Sequence, residues 1–217
     1  FSYSVYEDSP LNRVIESYGP GQAWQSSGHS NKNNYRINNV EDCCLFLGVG
    51  GTRDNPQLLQ HGHYLAYELD VIETRDEDGH IKYSFMDKEG QLILSRNVAD
   101  KDTLDTYYVY DDFGCLCFVL PPKAVDNLVE MSQDILDKYA YQYRYDELNH
   151  YRGKKLPGAE WIDMYFDKDG KLLRSRDGEM RKRNEWKCTF YDKLRREVVT
   201  GIYKGMMSYS SSASVEF

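Results

Sequence analysis

The chain has 217 residues, 41% of them hydrophobic, and no apolar run near the length of a membrane span, so it is long enough to bury a core and is not read as a membrane protein. Lys and Arg number 27 against 35 Asp and Glu, a net charge of -8, whereas a nucleic-acid groove needs the opposite balance. The 19 tyrosines favour strands, where aromatic side chains pack well on a pleated surface, over a helix bundle.

Taken in order, the chain opens on Phe1 with no charged leader and apolar segment after it, which reads as an excised or processed piece. Ser9-Pro10 and Gly19-Pro20-Gly21 are turn signals, and the polar run Ser26 to Asn34 predicts a mobile loop. Gly48-Val49-Gly50-Gly51-Thr52 lacks the ending of a phosphate-binding loop and reads as a turn, followed by turn residues at Asp54-Asn55-Pro56. Residues 25–60 are therefore expected to be loop-rich. His61 and His63 would share a strand face, but no third metal ligand accompanies them.

From residue 74 onward a unit recurs: an apolar or aromatic pair, Asp, two variable residues, usually Gly, one variable residue, then an apolar pair. It stands as Phe85-Met86-Asp87-Lys88-Glu89-Gly90-Gln91-Leu92-Ile93, as Val109-Tyr110-Asp111-Asp112-Phe113-Gly114-Cys115-Leu116, and as Tyr165-Phe166-Asp167-Lys168-Asp169-Gly170-Lys171-Leu172-Leu173. A plainer copy runs from Asp76 to Gly79 and Ile81. In the copy at Asp146 the glycine becomes Asn149, which tolerates positive φ, and in the copy at Asp192 it becomes Arg195, a departure from the pattern.

Asp at the first turn position can accept hydrogen bonds from the backbone ahead of it, and glycine can take the left-handed position that completes a bulged hairpin. The units near 74–83, 85–94, 107–119, 143–152, 163–174 and 188–200 are thus expected to be hairpins. A lone hairpin is marginal in water, so the units must pack on one another. The predicted fold is mainly β: repeated antiparallel hairpins in a continuous twisted or shell-like sheet, one elongated unit over 1–217.

Between the third and fourth units, Val125, Leu128, Val129, Ser132, Ile135 and Leu136 follow Pro121-Pro122 with helical spacing and predict one or two short helices near 123–138. Arg181-Lys182-Arg183 with Lys187 reads as a solvated turn. The five cysteines lack paired C-x-x-C spacing, and Cys115 and Cys117, two apart on a strand, read as small buried hydrophobes.

No nucleophile elbow or metalloprotease motif occurs, and the acids of Asp76-x-Asp78-Gly79 and Asp167-x-Asp169-Gly170 do not extend to a calcium loop: its first ligand would be Thr74 or Tyr165 and its twelfth Phe85 or Arg176. No catalytic residue, metal or cofactor is expected. A hydrolase with scattered acidic residues is the weakest reading, because nothing specifies a nucleophile or base. Tyr107, Tyr108, Tyr141, Tyr143 and Trp161 are candidates for an exposed aromatic face able to stack on a glycan or anchor a cell-surface protein.

These units resemble the tyrosine-aspartate repeats of Rhs and YD-repeat proteins, related to those of teneurins and insecticidal toxin complexes. The stretch Thr106-Tyr107-Tyr108-Val109-Tyr110-Asp111-Asp112-Phe113-Gly114, continuing through Phe118-Val119-Leu120-Pro121-Pro122, is similar to the large surface proteins of this type in Bacteroides-like bacteria. So are Lys155-Leu156-Pro157-Gly158-Ala159-Glu160-Trp161 and the early stretches Val5 to Arg13 and Pro20 to Trp24. The resemblance spans the chain up to Lys204, weakest over 29–60. It implies a structural wall at the cell surface or in a secreted protein, joined to the rest of a parent polypeptide, with a self-cleaving core and toxin domain elsewhere.

Overall fold

The computed structural model describes residues 2–21, 24, 29–99, 102–128 and 132–205. Sixteen strands make up most of them: β1 (Tyr3–Tyr6), β2 (Val14–Tyr18), β3 (Ser30–Ile37), β4 (Leu45–Thr52), β5 (Asn55–His63), β6 (Asp70–Arg75), β7 (Ile81–Met86), β8 (Leu92–Ala99), β9 (Asp102–Tyr110), β10 (Leu116–Leu120), β11 (Tyr141–Tyr145), β12 (Tyr151–Lys155), β13 (Ile162–Phe166), β14 (Leu172–Arg176), β15 (Glu185–Tyr191) and β16 (Glu197–Lys204). Fourteen of them are neighbours in chain order in one antiparallel sheet from β1 to β16, while β4 and β5 leave that order between β3 and β6 as a separate hairpin. The protein is mainly β, as the tyrosine content and the repeated turns predict.

The helices are short. α1 (Pro122–Val125) starts on a proline, which suits the first turn because its missing N–H would be unpaired there. α2 (Gln133–Tyr139) is capped by Ser132, whose side chain accepts from Ile135 N–H. The stretch expected to be helical over 123–138 thus holds two helices, with 129–131 outside the described residues.

Several expectations are corrected. Of residues 25–60, the described ones, 29–60, are not loop-rich: they hold β3, a 3-10 turn at Val40–Asp42, β4 and most of β5. Of the run Ser26 to Asn34, residues 26–28 lie outside the described residues and Ser30 onward is strand, because its polar side chains alternate with half-buried ones across the β2–β3–β6 ladder. Gly48 to Thr52 belongs to β4 and the turn falls after it, at Arg53 and Asp54. The basic cluster at 181–183 is not a turn, since Arg181 and Lys182 end α3 (Gly178–Lys182), capped by Asp177. Its cations lie in the last turn, where they complement the helix dipole.

The described chain falls into two compact units. In the first (1–48, 59–109 and 120–126), Val71 faces Phe85, Phe85 faces Leu94, and Leu94 faces Tyr107 across β6 to β9. All four are at most 2% exposed, forming one apolar row across the sheet. In the second (49–58, 110–119 and 127–217), the corresponding rows are polar: Arg144, Gly153, Asp163 and Arg176 oppose one another across β11 to β14. Beside them Tyr165 opposes Arg174 and Arg174 opposes Cys188.

Candidate functional site

Six aspartates recur at the same place in six hairpins, and each performs the same backbone task. At Asp87, the main-chain N–H donates to Gln91 O at 3.0 Å and the carbonyl accepts from Gly90 N–H at 3.1 Å. Its side-chain Oδ1 then accepts from the N–H of Glu89 at 3.0 Å and of Gln91 at 2.8 Å. The set repeats at Asp76, with Oδ1 distances of 3.0 and 2.8 Å, and at Asp111, again with 3.0 and 2.8 Å. It repeats at Asp146 with both at 2.9 Å, at Asp167 with 2.9 and 2.8 Å, and at Asp192 with 2.8 and 2.9 Å.

The fourth residue of every turn sits at positive φ: Gly79 at 87°, Gly90 at 80°, Gly114 at 74° and Gly170 at 77°. Asn149 and Arg195 take the same conformation at 64°, so the two departures in sequence make no departure in backbone. Arg195 N–H donates to Asp192 O at 2.9 Å as a glycine would. The residues flanking four of the turns register alike: Met86 faces Leu92, Tyr145 faces Tyr151, Phe166 faces Leu172 and Tyr191 faces Glu197, each with a bulge one pair before, whereas at the Asp76 turn Arg75 faces Ile81 with no shift.

One carboxylate oxygen is therefore committed to the aspartate's own turn, and in several copies the second has a partner as well. Asp76 Oδ2 meets the His80 ring at 3.0 Å, Asp146 Oδ2 meets His150 at 3.3 Å, and Asp192 Oδ2 accepts from Arg196 Nε at 2.8 Å. The backbone N–H of Arg196, followed by its guanidinium and the N–H of Leu194, lowers the Asp192 carboxyl below its ordinary range. For Asp76, burial pulls upward, but the hydrogen bonds from His80 and Asp78 outweigh it and the net shift is downward.

Asp111 differs in drawing a residue from outside the repeat. Arg53, at the tip of the β4–β5 hairpin, places Nε 3.8 Å from Asp111 Oδ2 and its guanidinium 4.5 Å from the Phe113 ring centre. Its Nη2 donates to Asn149 Oδ1 and lies 3.6 Å from Cys115 Sγ, and its carbonyl accepts from Tyr145 N–H. One arginine thus links the Asp111 and Asp146 turns. Cys115 is the fifth residue of its turn and half-buried against Arg53, whereas Cys117 is 3% exposed and burial pushes its thiol up to about 12.

In the second unit arginines lie over aromatic rings. Arg152 and Arg174 stand 4.0 and 4.3 Å from the Tyr165 ring centre, and Arg176 stands 4.1 Å from that of Trp186. Asp163 gathers two of the local cations, accepting from Arg176 Nε at 2.8 Å and Arg181 Nη2 at 2.9 Å. Sequence reasoning missed this cluster. Its signal, arginines at alternate strand positions opposite aromatics, looks the same as a solvated face until the partner strand is known.

The aromatic candidates do not form one exposed row. Tyr107 is 2% exposed with its hydroxyl accepting from Leu45 N–H, because it closes the first unit's apolar ladder; it is withdrawn from the binding face. Burial raises its phenol to about 12. Tyr108 and Tyr143 are half-buried, the latter 5.8 Å from Tyr151, and Tyr141 is exposed. Trp161 is half-buried, with the Arg144 guanidinium 3.6 Å from the ring centre. His61 packs on Phe46, and no group of three metal-ligating side chains occurs among the described residues. No helix among them is long and apolar enough to cross a membrane.

The family described as Domain of unknown function (DUF6443) matches residues 1–37. No curated protein matches the chain. Among solved structures, the crystal structure of TcdB2-TccC3-Cdc42 superposes with a TM-score of 0.61 at 13% identity over 96% of this chain, and TcdB2-TccC3 without its hypervariable C-terminal region with 0.60 at 14% over 94%. The Photorhabdus luminescens Tc holotoxin pore carrying the mutation TccC3-D651A gives 0.60 at 14% over 96%. At such identities the likeness is one of fold. The chain spans 8% or 9% of the length of these structures' chains.

Proposed function

We propose that this chain is a non-catalytic structural segment of a larger Rhs or YD-repeat protein of toxin-complex type, whose hairpins build part of a β wall. The observation that carries the reading is the sixfold repetition of one turn in which an aspartate Oδ1 accepts two main-chain N–H groups. A carboxylate whose Oδ1 is employed in this way shapes backbone, a role that calls for no acid, base or metal chemistry. The fold shared with Tc toxin structures, over a small share of their length, supports both the toxin-complex type and the larger parent. By the same resemblance the parent is secreted or displayed at the cell surface.

Asp→Asn substitution separates a structural carboxylate from a chemical one, because the amide oxygen still accepts hydrogen bonds while the acid is gone. Within the parent polypeptide, Asp87→Asn, Asp146→Asn and Asp167→Asn are expected to leave both the melting temperature and the parent's toxicity close to wild type. A variant that melts normally but loses toxicity would show that these acids do chemistry, and the structural reading would be abandoned.

A further inference from the structure

Arg144 stands apart from the other arginines of the second unit. Arg176 and Arg181 share Asp163; the buried Nε of Arg144, like that of Arg53, makes no hydrogen bond, but Arg53 has Asp111 Oδ2 at 3.8 Å whereas Arg144 forms no ion pair among the described residues. Burial also holds its guanidinium below the ordinary value. A cation taken part-way out of water without an acceptor is costly, and such a group is a natural anchor for an incoming anion.

The surroundings form a seat. Gly153 opposes Arg144 across β11 and β12, and a Cβ there would come within 3.3 Å of the Trp161 ring, so the glycine leaves room for the indole on which Arg144 lies. Arg144 and Trp161 line a cleft of about 250 Å³ together with Asn55, Gln133, Asp137 and Gln142. Within it, Asp137 Oδ1 accepts from Gln133 at 2.7 Å, from Gln142 at 3.0 Å and from Lys155 Nζ at 2.8 Å. Lys155 thereby balances Asp137, and the charge left over in the cleft is that of Arg144.

We propose that this cleft binds a carboxylate, held by the Arg144 guanidinium above Trp161 with the Asn55 amide at its edge. A planar monoanion matches one guanidinium fork and its single unmatched charge. A phosphate dianion fits less well, since its second charge would face Asp137. The carboxylate is either free in solution or borne by an aspartate or glutamate of a polypeptide crossing this surface.

The test is a ¹H–¹⁵N NMR titration of the chain, following the Arg144 Nε–H and the Trp161 indole N–H, assigned with Arg144→Lys and Trp161→Phe. The probes are acetate and the blocked peptide acetyl-glycyl-aspartyl-glycinamide, with its asparaginyl analogue and inorganic phosphate as controls. Both signals are expected to shift saturably with acetate and the aspartyl peptide and not with the asparaginyl one. A peptide bound about tenfold more tightly than acetate identifies a polypeptide source, and equal binding a free carboxylate. Arg144→Met should abolish the shifts, and Asn55→Ala, at an exposed position on the cleft's edge, should weaken binding several-fold without disturbing the fold. The proposal is overturned by absence of a saturable shift, by its survival in a folded Arg144→Met protein, or by phosphate binding as tightly as acetate.

Discussion

The two compact units use one kind of turn and cover their strands in opposite ways. In the first, Val71, Phe85, Leu94 and Tyr107 lie in register across four strands and exclude water by apolar contact. In the second, strands of similar length carry Arg144, Asp163, Arg174 and Arg176, and the surface is closed by guanidinium groups lying on Tyr165, Trp161 and Trp186. The difference teaches that the turn specifies the hairpin and leaves the strand faces open to variation. An apolar row stabilises through area removed from water, whereas an arginine–aromatic layer depends on charge balance, with Asp163 as a shared acceptor.

The sharpest way to break this comparison is to remove the centre of each layer. Phe85→Ala takes a fully buried ring from the apolar row and is expected to cost about 3–5 kcal/mol, read as a lowered denaturation midpoint of the first unit. Asp163→Ala takes the shared carboxylate from Arg176 and Arg181, the latter keeping Trp161 O as an acceptor, and should cost about 2–3 kcal/mol, with a clear signature. Added salt should narrow the gap between Asp163→Ala and wild type, because screening weakens the lost ion pairs, while the Phe85→Ala gap stays constant. Equal salt dependence of the two variants would remove the distinction between the units.

The smallest effect tests what the units share. Arg195 holds a left-handed conformation that costs an L-residue about 1–2 kcal/mol, part of which glycine returns as unfolded-state entropy. Arg195→Gly is therefore expected to stabilise by about 0.5–1 kcal/mol in a thermal melt. Asn149→Gly should bring no such gain, since asparagine tolerates this region and its Oδ1 also accepts from Arg53.

What the sequence by itself determined was local. Asp-x-x-Gly between apolar pairs encodes its own turn, because the hydrogen bonds that close it run between residues at most four apart; even Arg195 could not displace the backbone once Asp192 and its flanking strands were in place. The short helices were legible from Pro121-Pro122 and the apolar spacing after it, although Ser132, counted in that stripe, is the N-cap of α2. What only the tertiary structure decided were relations between residues distant in the chain. Polar residues 30–37 became strand because β2 and β6 flank them, and Gly48 to Thr52 became strand through its pairing partner β5. Arg53 acquired its role from turns about sixty and ninety residues later. The Arg144 cleft likewise exists because Gly153, Trp161 and Asp137 converge on it, and side-chain burial and charge balance are properties of that convergence, which no single stretch of sequence contains.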